Sequence, residues 1–149
     1  MNILIINGPN LNMLGIREPE VYGTATYRDL VDLIAAEAQR IDVQVHFVQS
    51  NSEGALVDAI QEAYGKMDGI IINPAAYTHT SIALFDAVKA VGIPTIEVHI
   101  SNPETREEFR KTSYVRGACI TTIAGRGFDG YLDALRELVA FLDITKADS

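Results

Sequence analysis

Five short strand-like runs, separated by segments of helical periodicity, constrain the fold of this chain more than any other feature of its sequence. The runs lie at 3–6, 43–48, 69–72, 94–99 and 119–124. Most of them are largely apolar, which is typical of strands that are buried on both faces of a sheet. The segments between them are long enough for the helical crossovers that join parallel strands.

Apolar residues recur three and four positions apart between the runs, as in amphipathic helices. The helical segments predicted from this spacing are 26–41, 53–64, 80–91 and 128–142, with a shorter one over 104–109. Thr26, with Asp29 three residues later, resembles a capping box at the first of them. With right-handed crossovers, the alternation predicts a flavodoxin-like, doubly wound sheet of five parallel strands with helices on both faces.

Length, charge and cysteine content narrow the class of protein. The 149 residues indicate a single domain over 1–149. The net charge of −8 disfavours nucleic acid as a partner, since phosphates require a basic face. No apolar run approaches the ~20 residues of a membrane helix and no signal segment precedes the first strand, so we expect a cytoplasmic protein without a membrane partner. The lone Cys119 excludes a disulfide framework and is expected to be a small buried residue.

Polar side chains follow four of the five runs, at ends that a parallel sheet places along one edge. They are Asn7 to Asn10, Gln49 to Ser52, Asn73 with Tyr77 to His79, and His99 with Ser101 and Asn102. Ligands of such sheets bind in the crevice at this edge. Helix caps explain Ser52 and Thr80, whereas the convergence of Asn10, His79 and His99 favours a functional site.

The segment 14–23 is long for a connection between a strand and a helix, and long loops of this kind are often lids. It contains both Arg17 and Tyr22. A free tyrosine has a pKa near ~10, and lowering it by about two units requires roughly 2.7 kcal/mol, which one close guanidinium can supply. A tyrosine base is one interpretation. A surface arginine, with a tyrosine that packs the loop down, is the other, and the residues alone leave both open.

Glu97 and His99 lie two positions apart at the end of the fourth run, so they share one face of the strand. A carboxylate beside an imidazole fixes its tautomer and favours its protonated form, which suits a general acid. The alternative is a pair on a half-exposed strand. That alternative is weaker, because a central parallel strand is normally apolar on both faces.

The sequence lacks the motifs that are typical of several other kinds of active site. The chain has no P-loop, no nucleophile elbow and no zinc-binding helix, and its histidines lack the spacing of metal ligands, so no metal is expected. Gly125, Gly127 and Gly130 do match the dinucleotide fingerprint, and a non-catalytic nucleotide- or flavin-binding module is the alternative that they suggest. The fingerprint belongs at the first turn of a βαβ unit, whereas here only one helix follows. A glycine-rich turn is favoured.

Five motifs together resemble one family, type II 3-dehydroquinate dehydratase. They lie at 6–12, 15–23, 77–81, 97–102 and 106–110, in the family's order. The resemblance implies a flavodoxin-like fold and a lyase that needs no cofactor or metal. The implied reaction converts 3-dehydroquinate to 3-dehydroshikimate by anti elimination of water through an enolate, in the shikimate pathway or in quinate breakdown. It also implies a homo-oligomer, a dodecamer built from trimers.

The resemblance also implies roles for single residues. Tyr22 would be the base, Arg17 would keep it ionised and close the lid, and Asn10 would hold a water that stabilises the enolate. His99 would protonate the departing hydroxyl, with Glu97 orienting it. The implied substrate-binding residues are Asn73, His79, Ile100, Ser101 and Arg110, together with Asp86, which would reach a neighbouring subunit's site. Ala76 and Met13 depart from the family pattern and are expected to affect affinity rather than reaction type.

Overall fold

A computed structural model describes residues 1–16 and 18–148, with Tyr22 described by its backbone alone. Within these residues, one parallel sheet has the strand order β2-β1-β3-β4-β5. The strands are β1 Asn2–Asn7, β2 Gln44–Gln49, β3 Gly69–Asn73, β4 Thr95–His99 and β5 Thr121–Ala124. The predicted five-stranded parallel sheet is therefore confirmed, and the order is that of the flavodoxin-like fold.

Helices cover both faces of the sheet. They are α1 Pro19–Tyr22, α2 Tyr27–Arg40, α3 Glu53–Glu62, α4 Ile82–Val91 and α5 Asp129–Ala147. On one face, α2 and α5 pack on Ile3, Ile5 and Ile71. On the other face, α3 and α4 pack on alternate residues of the same strands, such as Leu4 and Ile72. This arrangement confirms the doubly wound interpretation, because each central strand buries both of its faces.

The capping box predicted at α2 is present. The side chain of Thr26 accepts a hydrogen bond from the backbone N–H of Asp29 at 3.1 Å, and the Asp29 carboxylate accepts one from the backbone N–H of Thr26 at 2.9 Å. The helix buries Leu30, Ile34 and Ala38 on one side. The three- and four-residue spacing read from the sequence therefore corresponds to the face packed on the sheet.

The short helix predicted over 104–109 is wrong. Two separate 3-10 turns, Pro103–Thr105 and Glu108–Lys111, replace it, because Arg106 between them has an extended backbone. The Asn102 side chain caps the first turn by accepting from the N–H of Glu104 at 3.0 Å. The effect is that the chain bends twice here, and both turns lie beside the ends of β4 and β5.

One predicted strand boundary shifts because a 3-10 turn precedes the strand. The fifth strand begins at Thr121 rather than Cys119, because Cys119 ends a 3-10 turn at Val115–Ala118. Its thiol is half-buried and donates to the carbonyl of Val115 at 3.4 Å. Burial raises the pKa of Cys119 to about 12, so the thiolate is scarce at neutral pH.

Across the described residues, no helix has the length and apolar character that crossing a membrane requires.

The polar ends of the strands meet as predicted. Asn7 and Asn73 are direct neighbours in the pairing of β1 with β3, and Ile72 pairs with Glu97 of β4. The register therefore places Asn7, Asn73 and His99 at the same edge of the sheet.

An ionic cluster ties α2 to α5 at the opposite side of the core. The largely buried carboxylate of Glu37 accepts hydrogen bonds from Arg40 at 2.6 Å and from Arg136 of α5 at 2.5 Å. The bond from Arg40 contributes most, with Arg136 assisting, and together they lower the pKa of Glu37 from 4.5 to about 2 against the opposing effect of burial. Ionised Glu37 therefore stabilises the fold.

We expect Glu37→Gln to be less stable than the wild type at pH 7. A carboxyl whose pKa is lowered in the folded state stabilises the fold above its unfolded-state pKa, and this contribution is lost as the pH falls through the folded-state value. The difference should therefore shrink between about pH 4.5 and pH 2. Urea unfolding at several pH values measures it, with Glu137→Gln on the exposed side of α5 as the control. A difference that stays constant down to pH 2 contradicts the assignment.

Candidate active site

A cleft of about 430 Å³, open to solvent at its mouth, lies at the carboxyl ends of β3 and β4. Its polar lining residues are Asn73, His79, His99, Ser101, Arg106 and Arg110. Its apolar walls are Leu11, Ala75, Ala76, Ile100 and Pro103. The edge predicted from the sequence therefore carries the cleft.

Glu97 and His99 form a close pair on β4. His99 Nε2 lies 2.6 Å from Glu97 Oε2, and Glu97 is 0% exposed while His99 reaches the cleft. The period of two along the strand puts both side chains on one face, as the sequence predicts. Since Nε2 is engaged by the carboxylate, Nδ1 is the ring nitrogen that remains for a ligand.

Two hydroxyl groups lie within hydrogen-bond distance of the Glu97 carboxylate. Ser113 Oγ lies 3.1 and 3.2 Å from the two carboxylate oxygens, and Thr78 Oγ1 lies 3.3 Å from Oε1. The two hydroxyl oxygens are 2.6 Å apart, so one donates to the other and the second donates to Glu97. Ser113 also accepts from the backbone N–H of Arg116 at 3.1 Å. The carboxylate is therefore fixed from two directions.

His79 presents one defined nitrogen to the cleft. Its Nδ1 lies 2.5 Å from the carbonyl oxygen of Thr112, which only accepts, so Nδ1 carries the proton and donates. Nε2 is then an acceptor in the neutral ring. The 3-10 turn Ala75–His79, which follows β3, brings His79 to this wall.

Two arginines place their guanidinium groups in the cleft wall, each of them beside a glutamate. The side chains of Arg106 and Arg110 are 14% and 18% exposed. Arg110 Nε donates to Glu107 at 2.7 Å, and Arg106 Nη1 donates to Ser101 Oγ at 3.3 Å. Partly desolvated guanidinium groups of this kind bind carboxylates well.

Sequence reasoning did not single out Arg106, although it lies in the motif at 106–110 and begins it. Arg106 has an extended backbone between the two 3-10 turns, and it lines the cleft. Ser113 was missed as well. No local pattern marks it, since its contact with Glu97 joins residues that are 16 positions apart.

Some of the remaining predicted site residues line the cleft, and others lie elsewhere on the surface. Asn73, Ile100 and Ser101 line the cleft. Asn10 is exposed at the turn after β1, where its backbone N–H donates to Asn51 at 3.0 Å. Asp86 is exposed on α4 and is not among the described residues that line the cleft of its own chain.

The lid segment borders the mouth of the cleft. Arg17 and the side chain of Tyr22 lie outside the described residues, so their predicted roles stay predictions. The backbone of α1 is described, and Glu20, Val21 and Gly23 share a shallow depression with Ile100, Ser101 and Arg106. Glu18, at the start of α1, lies 3.5 Å from Arg106 Nη2. The helix that carries Tyr22 therefore adjoins three residues of the cleft.

The glycine motif has a structural role. The backbone N–H of Gly125 donates to the carbonyl of His99 at 3.3 Å, and that of Gly127 donates to Ile100 at 3.0 Å. Both glycines have positive φ values, 79° and 59°, which favour glycine. These N–H groups therefore support the end of β4 instead of binding a pyrophosphate, and the glycine-rich turn is confirmed.

Groups of three or more histidine, cysteine or acidic side chains that could hold a metal ion are absent from the described part of the chain. The groups that the cleft does offer are an imidazole held by a carboxylate, a second imidazole, two guanidinium groups and an amide. This set suits proton transfer to a small molecule that carries a carboxylate and hydroxyls.

Comparisons with known proteins agree on one family. The family model described as dehydroquinase class II matches residues 1–139. A curated relative from Clostridium acetobutylicum, named 3-dehydroquinate dehydratase, is 54% identical over 138 residues, covering 93% of this chain and 96% of the relative. A relative of the same name from Corynebacterium glutamicum strain R is 56% identical over 129 residues, covering 87% of this chain and 89% of the relative.

Solved structures give the same result. The crystal structure of type II dehydroquinase from Butyrivibrio crossotus matches with a TM-score of 0.91 at 51% identity, covering 93% of this chain and 97% of that chain. The type II dehydroquinase from Propionibacterium acnes matches with a TM-score of 0.90 at 42% identity, covering 93% and 96%. The fold, the cleft and the sequence thus agree.

We expect Ser113→Ala to destabilise the fold by about 1–3 kcal/mol, because it leaves the buried Glu97 carboxylate short of a hydrogen bond. Ser113→Thr retains the hydroxyl and should recover most of the loss. Urea unfolding measures both variants, with Ser101→Ala as a control that removes a hydroxyl from the cleft wall without touching Glu97. Equal stability of Ser113→Ala and the wild type would show that Thr78 and His99 satisfy the carboxylate without Ser113.

Proposed function

Since this chain belongs to the class II dehydroquinase family, we propose that it dehydrates 3-dehydroquinate to 3-dehydroshikimate by anti elimination through an enolate, without a cofactor. The observation that carries the proposal is the Glu97–His99 pair, joined at 2.6 Å on the floor of a cleft whose mouth adjoins α1. An acid on the floor and a base on the lid would address opposite faces of a bound ring. Anti elimination needs that geometry.

His99 acts as the acid in this proposal. Glu97 accepts from Nε2 and so orients the ring, which leaves Nδ1 of the imidazolium to protonate the departing hydroxyl. Ser113 and Thr78 keep the carboxylate fixed while His99 changes charge. The carboxylate stabilises the imidazolium and also prevents the ring from turning away from the cleft.

Tyr22 acts as the base that removes the proton beside the ring ketone. The proposal rests on its place in α1, whose residues Glu20 and Val21 share a depression with Ser101 and Arg106. Arg17 keeps the phenol ionised at neutral pH and closes the lid over the ring. Asn10 holds a water that hydrogen-bonds the enolate oxygen. A preorganised donor at that oxygen lowers the barrier to forming the enolate.

The substrate's carboxylate and hydroxyls find complementary groups on the described walls. Arg110 donates charge-assisted hydrogen bonds to the substrate's carboxylate. Arg106, which donates to Ser101, adds a second positive charge to this wall. His79 offers Nε2 as an acceptor for a hydroxyl. Asn73 and the backbone amides of Ile100 and Ser101 complete the binding residues that we propose.

We further propose an assembly and a metabolic setting. Asp86 is exposed on α4, where it is accessible to a neighbouring subunit's site in a homo-oligomer, a dodecamer built from trimers. The reaction belongs to the shikimate pathway or to quinate breakdown, in the cytoplasm. Ala76 lines the cleft and Met13 is 41% exposed beside the lid, so both are positioned to adjust substrate affinity.

The purified protein should convert 3-dehydroquinate to a conjugated enone carboxylate, followed by ultraviolet absorbance, equally well with and without a chelator. Tyr22→Phe should reduce kcat at least about 100-fold, since general bases contribute about 10²–10⁴-fold. Tyr64→Phe, which changes an exposed tyrosine just after the end of α3, is the matched control. Near-wild-type kcat in Tyr22→Phe excludes Tyr22 as the base.

Arg17→Ala should lower kcat strongly at pH 7 and recover part of it as the pH rises toward 10, because the phenol then ionises without help. Arg28→Ala removes the same charge from an exposed position of α2 and serves as the control. A pH profile of kcat for the three proteins measures this. A loss of equal size at every pH would assign Arg17 to lid closure alone.

A further inference from the structure

A chain of buried hydrogen bonds runs under the cleft and ends at one of its walls. Tyr131, in the first turn of α5, is 0% exposed, and its hydroxyl lies between two buried amides at the strand ends. The hydroxyl donates to Asn7 Oδ1 at 2.6 Å and accepts from Asn73 Nδ2 at 2.8 Å. The two asparagines are neighbours in the pairing of β1 with β3. One hydroxyl on a helix thus joins two strand ends.

The partners determine which way the Asn73 amide faces. The backbone N–H of Ala75 can only donate, and it lies 3.0 Å from the Asn73 side-chain oxygen. The nitrogen of the same amide must therefore face Tyr131. This agrees with the Tyr131 hydroxyl, whose one hydrogen is given to Asn7 and which can only accept from Asn73.

The Tyr131 hydroxyl keeps its proton at any pH at which the protein works. Burial raises the pKa of Tyr131, and the hydrogen bond with Asn73 offsets only part of that effect. The phenol is thus a permanent donor to Asn7. The direction of every bond in the chain is then fixed.

The amide of Asn73 has one further N–H, and Asn73 lines the cleft. We propose that Tyr131 is a positioning residue that holds Asn73 as a hydrogen-bond donor to the cleft, so that this wall selects an acceptor oxygen on the ligand. The inference rests on the proposed function through Asn73, which is a substrate-binding residue there. It adds that a residue which does not itself line the cleft sets the polarity of that contact.

Through Ala75, the same series of hydrogen bonds has a second effect on the cleft. It has a φ of 52°, which is uncommon for a residue with a side chain, and it lines the cleft beside Asn73. The Asn73 oxygen holds its N–H in this conformation. Loss of the Tyr131 hydroxyl would leave the amide held by the Ala75 N–H alone, so it would loosen both the donor and the turn that follows it.

Tyr131→Phe removes the hydroxyl and keeps the buried ring. We expect KM for 3-dehydroquinate to rise about 3–10-fold, the usual value of one hydrogen bond, while kcat changes less than about 2-fold and its pH profile stays unchanged. Tyr27→Phe is the matched control, because Tyr27 contacts Asn7 at 3.4 Å but has no contact with Asn73 among the described hydrogen bonds. Its KM should equal that of the wild type.

A double-mutant cycle tests whether Tyr131 acts through Asn73. Tyr131→Phe combined with Asn73→Ala should raise KM no further than Asn73→Ala alone, because the amide that Tyr131 positions is already gone. Additive effects on KM overturn the proposal, as does a Tyr131→Phe enzyme with wild-type KM. A fall in kcat equal to the rise in KM also overturns it, since that would indicate a general structural loss.

Two further measurements keep the test decisive. If Tyr131→Phe does not fold, Asn7→Leu removes the acceptor of the Tyr131 hydrogen, which can then turn toward Asn73, and KM should rise about 2–5-fold. An unchanged KM there overturns the proposal.

Calorimetric Kd values for quinate, a ring acid that is not dehydrated, should follow the same order in all variants. An inactive wild type that shows this order refutes the proposed reaction but supports Tyr131, and active enzymes that lack it refute Tyr131 alone.

Discussion

The cleft depends on one carboxylate that receives its hydrogen bonds from the protein instead of from water. Glu97 is 0% exposed, and an unsatisfied charge there would cost several kcal/mol. His99, Ser113 and Thr78 supply the contacts on three sides. Because these partners come from β4 and from two separate loops, the carboxylate fixes the mutual position of three segments. The same contacts that make its burial possible therefore build one wall of the active site.

The parallel sheet determines where polar groups can be placed. The interiors of β1 and β3 are apolar on both faces, and each of these strands ends in an asparagine, while β4 ends in His99. Residues that are distant in sequence, such as Asn7 and Asn73, become direct neighbours there. The family's dehydration chemistry thus uses an edge that the fold already offers, and α1 and the two 3-10 turns lie beside it.

Sequence patterns predicted the parts of this structure that depend on local or periodic signals. The α2 cap, the five strands and the Glu97–His99 pair follow from spacings of three, four or two residues, and all are confirmed. Ser113 and Tyr131 gave no such signal, because they meet their partners across 16 and 58 positions. The helix expected over 104–109 failed because the extended backbone at Arg106 interrupts it. The described residues leave the roles of Arg17 and Tyr22 as predictions.

The turn after β5 supports the catalytic strand through main-chain groups alone. Gly125 and Gly127 donate their backbone N–H groups to His99 and Ile100, so this support does not depend on the identity of any neighbouring side chain. Substitution of Arg126, which lies between the two glycines, therefore removes its contact with Asp133 but leaves the main-chain support of His99 in place. A library randomised at Arg126, whose side chain is 59% exposed, would change this surface for coupling to a support or to a partner enzyme and leave His99 in its place.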